Sequence, residues 1–276
     1  MNTFMRTWRL MDDALGVLKK DPELLVFPML SSIAGVLVAG SFALPLFDES
    51  IQQFVSRAGA DDPLVYVWMF LFYMASYFVV LFFNAALVAC ALARMTGRDP
   101  TIRFGLRMAW KRLGPIVLWT LVTSTVGFVL QLIEERVGIV GRIVVALLGM
   151  TWSVTSFLVV PVLVHKGTGP IEAYTASASM LKDSWGEQIV GTVSFALLFV
   201  VLGILPAGVL FFVATTGNLI ATATTAVLCA LYLIVLGLAQ STLHAIYQAA
   251  VYCYAFTGRA PHGFDAQALA TSFRPR

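Results

Sequence analysis

Charge is what this sequence has least of. Of its 276 residues only 12% are Asp, Glu, Lys or Arg, whereas 59% are hydrophobic, and the mean hydropathy is +0.86. Soluble globular chains carry about 25% charged and about 45–50% apolar residues, so a soluble protein of this composition could not cover its own surface. The deficit excludes a soluble enzyme, a secreted disulfide scaffold and a disordered tail. Cysteine is scarce as well. Cys90, Cys229 and Cys253 lie inside or at the ends of apolar runs, with no CxxC and no Cys/His cluster, so neither a metal site nor a disulfide framework is indicated and no cofactor is expected. A net charge of +3 is too small to argue for nucleic acid. Catalytic motifs are missing too: there is no Gly-rich phosphate loop, GxSxG elbow or HExxH. Asp61-Asp62 and Glu134-Glu135 are adjacent pairs that point apart on a helix, and His165, His244 and His262 have no acid at useful spacing. The expectation is a protein that is not an enzyme.

What the chain does contain is six apolar runs of the roughly 20 residues that a helix needs to cross about 30 Å of hydrocarbon. They are Leu24–Phe47, Leu64–Ala93, Gly114–Ile133, Ile139–Val164, Gln188–Thr215 and Leu219–Phe256. None contains Asp, Glu or Lys, and the one Arg is Arg142, at the mouth of the fourth. The first run follows a charged stretch that includes Asp12, Asp13, Lys19, Lys20, Asp21 and Glu23, so the N-terminus does not read as a cleavable signal. The sixth run would reach about 57 Å as a helix and must tilt, bend or project beyond the bilayer.

The positive charges are sorted by side. Fifteen of the 18 Lys and Arg fall before the first run, between the second and third, between the fourth and fifth, or after the sixth; Arg57, Arg136 and Arg142 fall on the other side. By the positive-inside rule both termini are cytoplasmic. The segments ahead of the odd-numbered runs look alike. Phe4, Trp8, Met11, Leu15 and Leu18 form an amphipathic stripe in the first. In the second, Asp99 is placed to cap a helix whose first residue is Pro100, with Ile102, Leu106, Ala109/Trp110 and Leu113 on its apolar side. In the third, Pro170 opens a helix carrying Ile171, Tyr174, Ala178, Leu181 and Trp185.

The fold expected is therefore all-α and polytopic: six transmembrane helices with three amphipathic cytoplasmic interfacial helices. Residues 1–257 form one domain of three units, about 1–93, 94–166 and 167–257, each an interfacial helix followed by a transmembrane hairpin. Residues 258–276 are expected to be a polar, irregular cytoplasmic tail. On the outer side Asp48–Pro63 is the longest and most acidic connection.

Several stretches carry a family resemblance. They are WRLMDDALGVLKKDPELLVFP (Trp8–Pro28), FVVLFFNAALVACA (Phe78–Ala91), DPTIRFGLRMAWKRLGP (Asp99–Pro115), VPVLVHKGTGP (Val160–Pro170), SWGEQIVG (Ser184–Gly191) and the closing Phe-Arg-Pro-Arg. At these residues, which span nearly the whole chain, the sequence resembles a family of bacterial integral membrane proteins known as domain of unknown function 6159. More distantly it resembles the membrane domains associated with glycerophosphoryl diester phosphodiesterases, without the catalytic domain. The resemblance implies a six-helix bacterial inner-membrane protein, and it carries over no activity and no catalytic residue.

Polar residues inside the spans are where function is sought first. Asn84 in the second span either contacts a substrate or, more commonly for a lone Asn, bonds a neighbouring helix. Gln240, His244 and Gln248 recur at i, i+4 and i+8 in the sixth span, with Tyr247 and Tyr252 close by, so one helix face is polar over two turns. The face either relays protons or meets water and the amphipathic helices. Hydroxyls in spans three to six are expected to bond back to their own backbone or to an adjacent helix. Ala85, Ala89 and Ala93 permit close helix contact, and Gly203, Pro206 and Gly208 predict a kink in the fifth span. The basic segment between spans two and three should lie flat on the inner leaflet, with Arg103, Arg107, Lys111 and Arg112 toward anionic headgroups. The partners expected are membrane lipids, with a homo-oligomer or a membrane-protein partner open. Two functions stay in view. One is a non-enzymatic membrane protein acting through lipids or protein partners. The other is a permease or channel for a small or amphipathic solute, which the lack of an intramembrane acid disfavours.

Overall fold

The computed structural model describes residues 3–48, 62–182, 185–266 and 269. Among them every regular element is helical. Helix α1 (Thr3–Lys20) leads through a 3-10 turn (Pro22–Leu25) into α2 (Val26–Ala43). Helix α3 (Pro63–Met95) is followed by α4 (Ile102–Lys111), α5 (Leu113–Arg136), α6 (Ile139–Thr155) and α7 (Val159–Lys166), then α8 (Pro170–Leu181), α9 (Trp185–Ala214) and α10 (Leu219–Thr257). Six stretches are long and apolar enough to cross a membrane: Pro22–Phe47, Pro63–Met95, Leu113–Arg136, Ile139–Lys166, Leu197–Ala214 and Leu219–Thr257. They correspond to the six apolar runs. The acidic connection after Asp48, the side chains of Phe4 and Trp185, and Phe273–Arg276 lie outside the described residues.

The long helices present apolar side chains outward, as they must where lipid replaces water. Val36, Phe211, Phe212, Leu219 and Ile220 are all more than 70% exposed. Among the described residues a tight core forms where the second half of α3, Val159–Val164 of α7, and Leu243–Tyr252 of α10 meet the inner face of α1. Ala85, Ala89 and Ala93 are buried there, so their small side chains serve internal packing. On α1 the buried residues are Leu10, Met11, Ala14, Val17 and Leu18, while Trp8 is exposed. The first half of α10 instead faces outward, and at roughly 1.5 Å per residue its 39 residues run about 58 Å.

The fourth span is not one helix. It stops at Thr155 and restarts at Val159. Pro161 explains the break, because it has no N–H for the Phe157 carbonyl four residues earlier and its ring crowds that carbonyl. Neighbouring helices supply the missing partners. The Gln248 side-chain amide donates to the Phe157 carbonyl. Ser177 on α8 accepts from the Leu158 N–H at 3.0 Å and donates to the Thr155 carbonyl at 2.6 Å. In the fifth span α9 continues as helix through Pro206, without an interruption like that between Thr155 and Val159. There the carbonyl that Pro206 deprives, Leu202, accepts from the Tyr232 hydroxyl at 3.3 Å. Irregular backbone is tolerated at membrane depth only with such substitutes; α10 supplies one at each proline, and α8 completes the first.

Two further details differ from expectation. Thr101, not Asp99, caps α4, its hydroxyl accepting from the Phe104 N–H at 3.2 Å. Asp99 is taken instead by Arg94, which also pairs with the buried Asp21 at the end of α1. Helix α8 ends at Leu181, and its buried face is Ala173, Ser177 and Leu181; Ile171 is 77% exposed. The segment after α10 is irregular from Gly258 to Asp265 and packs back on the core. Phe264 and Leu269 are buried, and the Asp265 N–H donates to Asp13 on α1 at 2.8 Å.

Candidate functional site

Helix α4 has the sequence Ile-Arg-Phe-Gly-Leu-Arg-Met-Ala-Trp-Lys, and its 3.6-residue period divides it sharply. Gly105 and Ala109 form the buried side. A Cβ at Gly105 would lie 2.7 Å from the Ala86 carbonyl oxygen, Cys90 Sγ and Phe27 Cζ, so only glycine lets α4 lie this close against α3. The Arg94 pairs to Asp21 and Asp99, and Cys90 Sγ donating to the Thr101 carbonyl at 3.6 Å, fix the start of α4 on the same helix.

Anchored in this way, α4 forms one wall of an open groove of about 1080 Å³ against α2 and α3. Its floor is Leu30, Phe82, Phe83, Leu106 and Trp110, with the Phe82 and Trp110 rings edge to face at 6.1 Å. Arg103, Arg107 and Lys111 line it as well, and all three are exposed. No acid lies on α4, and among the described residues none forms an ion pair with these three. Like charges at i and i+4 destabilise a helix by a few tenths of a kcal/mol per pair. A cation in the first turn, as Arg103 is, also opposes the helix dipole. The row is thus a local cost that an anion in the groove would relieve.

Arg112, the fourth basic residue expected here, is elsewhere. Its Nε donates to the Val164 carbonyl at 3.4 Å, in the last turn of α7. Gly167, in the left-handed region at φ 70°, ends that helix, and any side chain there would strike the Arg112 guanidinium. Arg112 is spent on capping α7.

The sequence-derived polar residues are only partly brought together. Gln248 is buried and holds the α6–α7 break. His244 packs edge-on to Phe157, ring centroids 5.6 Å apart, beside the same break. Gln240 is half-buried farther along α10, and Asn84 is half-buried on α3; among the described residues no hydrogen bond links Asn84 to Gln248. Hydroxyls turn back on their own helices: Thr120 to Ile116, Thr125 to Leu121 and Thr151 to Leu147, each within 2.9 Å. Tyr174 donates to Thr155 Oγ1 at 3.0 Å and stacks on Trp152 and Trp119. Among the described residues no three of His, Cys, Asp and Glu gather as a metal site. Sequence reasoning identified the basic side of α4 but missed the groove floor, since Leu30, Phe82 and Phe83 reach it from other helices.

These features define a multi-pass, all-helical membrane protein with a cation-lined apolar groove at one end. The chain belongs to a family of unknown function (DUF6159), whose sequence profile matches residues 64–263. The first amphipathic helix and span lie outside the match. No curated protein matches the chain, and the more distant resemblance to phosphodiesterase-associated membrane domains rests on sequence motifs alone.

Proposed function

We propose that this is a non-enzymatic protein of the bacterial inner membrane, with both termini cytoplasmic, that works by holding anionic lipid at its cytoplasmic face or presenting that face to a membrane partner. The observation that carries the reading is the groove: an apolar floor open to the side, bordered by Arg103, Arg107 and Lys111, with no acid among its lining residues. A lysine or arginine close to an anionic leaflet is worth about 1 kcal/mol, and an amphipathic helix presents its apolar side to the acyl region. The charge asymmetry of the chain supports a cytoplasmic position for α4. The permease alternative draws on the broken fourth span, since discontinuous helices mark binding sites in transporters. Here Ser177 and Gln248 already occupy the freed backbone groups, which favours a structural role for the break.

Replacing Arg103, Arg107 and Lys111 together by Gln tests the proposal by native mass spectrometry of the solubilised protein. Retention of anionic phospholipid should fall by at least 10-fold, from about 1 kcal/mol for each charge removed. Unchanged retention would leave these charges with a topological role only.

A further inference from the structure

We infer that the groove on α4 accepts a phospholipid carrying two phosphate groups in preference to one carrying a single phosphate. This inference rests on the reading of the groove as an anionic-lipid site, and it follows from how the cations are spaced. Arg103, Arg107 and Lys111 stand at i, i+4 and i+8, so the row extends about 12 Å along the helix axis. Helical side chains all lean toward the N-terminus. The three cationic heads therefore shift together along the row and do not converge. Charge-assisted bonds to phosphate oxygen are about 2.7–2.9 Å long, so one phosphate seated between two neighbouring heads leaves the third unmatched. Two phosphates joined by a short polyol bridge use the whole row. The one nearer Arg103 also meets the start of α4, where the helix dipole favours an anion beside the Thr101 cap.

The size of the groove agrees. At about 1080 Å³ it reaches the upper end of the roughly 300–1,000 Å³ typical of small-molecule sites. Ile102, Leu106 and Trp110, with Phe82 and Phe83 from α3, line it beside the cations, which suits a lipid with several acyl chains. Two phosphates against three cations leave the site slightly positive, whereas one phosphate leaves two cations unneutralised.

The test titrates the full-length solubilised protein with diphosphatidylglycerol, phosphatidylglycerol and phosphatidylcholine at equal total phosphate, read by native mass spectrometry. The diphosphate lipid is expected to be retained about five-fold more tightly than the monophosphate lipid, the worth of one further cation contact. Arg103→Gln and Lys111→Gln, at the ends of the row, should each lower diphosphatidylglycerol retention by more than they lower phosphatidylglycerol retention, and so remove the five-fold preference. Both side chains are exposed, so lipid-free unfolding temperatures serve to confirm that the variants fold. Equal retention of the two acidic lipids per phosphate would overturn this inference while sparing the lipid site. Retention of neither above phosphatidylcholine would overturn both.

Discussion

Gln248→Met, read against Pro161, gives a quantitative test of how the broken span is held together. Gln248 donates to the one carbonyl, Phe157, that Pro161 deprives of its helical donor. Methionine keeps an unbranched side chain of similar length and removes only the donor. A buried group left unpaired costs about 1–3 kcal/mol in soluble proteins. Interhelical hydrogen bonds in a membrane protein average about 0.6 and reach about 1.7 kcal/mol. Gln248 Oε1 has no partner among the described residues, so its removal returns part of the loss. The expected cost is about 1 kcal/mol, or roughly 2–4 °C in unfolding temperature. Pro161→Ala restores an N–H that reaches the same carbonyl, so in that background Gln248→Met should cost less than half as much. Tyr232→Phe, at the more exposed Pro206 analogue, should cost at most about 0.6 kcal/mol. Unfolding in bicelles by SDS titration gives all four corners of the cycle. Equal losses in the parent and in the Pro161→Ala background would refute the assignment of Gln248 to that carbonyl.

Gly105→Ala should destabilise by about 1–3 kcal/mol, because the new methyl meets the Ala86 carbonyl and Cys90 at 2.7 Å and α4 must move off α3. Gly16→Ala on α1 has nothing within 4 Å and should instead gain about 0.5–1 kcal/mol, so thermal melts of the pair separate close packing from helix propensity. Burial, aided by the neighbouring Asp265 and Asp12 charges, raises the Asp13 carboxyl above its ordinary value of 3.8, against the Asp265 N–H and Arg9, which lower it. A raised acid favours the folded state while protonated and loses that contribution as pH climbs from about 3.8 through its folded value. Asp13→Asn should therefore be at least as stable as the parent at pH 7, with the gap closing toward pH 4 in melts across pH; a gap that widens on acidification contradicts this.

Much of the architecture was legible because membrane spans are specified by composition. A run of 20 residues without an acid has few other structures open to it, and Thr120, Thr125 and Thr151 bond backward as short hydroxyl side chains on a helix do. The break in the fourth span was legible in principle. Pro161 marks it, but the eye goes to Gly203, Pro206 and Gly208, where glycine flanks the proline. What decides between a break and a continuous helix is the partner across the bundle: Gln248 and Ser177 stabilise an opened turn at Phe157, whereas a single hydroxyl from Tyr232 suffices at Leu202. The same limit applies to the groove. Arg103, Arg107 and Lys111 share a face by helical period alone, but their floor depends on Gly105 admitting α4 against α3. Arg112 follows one residue after Lys111, yet the start of α5 turns it toward α7.

Acidic lipid held in the α4 groove should be visible in a cryo-electron microscopy structure of the protein in nanodiscs made from native membrane. Acyl density is expected along Leu106, Trp110 and Phe82, with phosphate density along Arg103, Arg107 and Lys111. Side chains collapsed into a closed groove, or ordered lipid placed only elsewhere on the surface, would contradict that assignment.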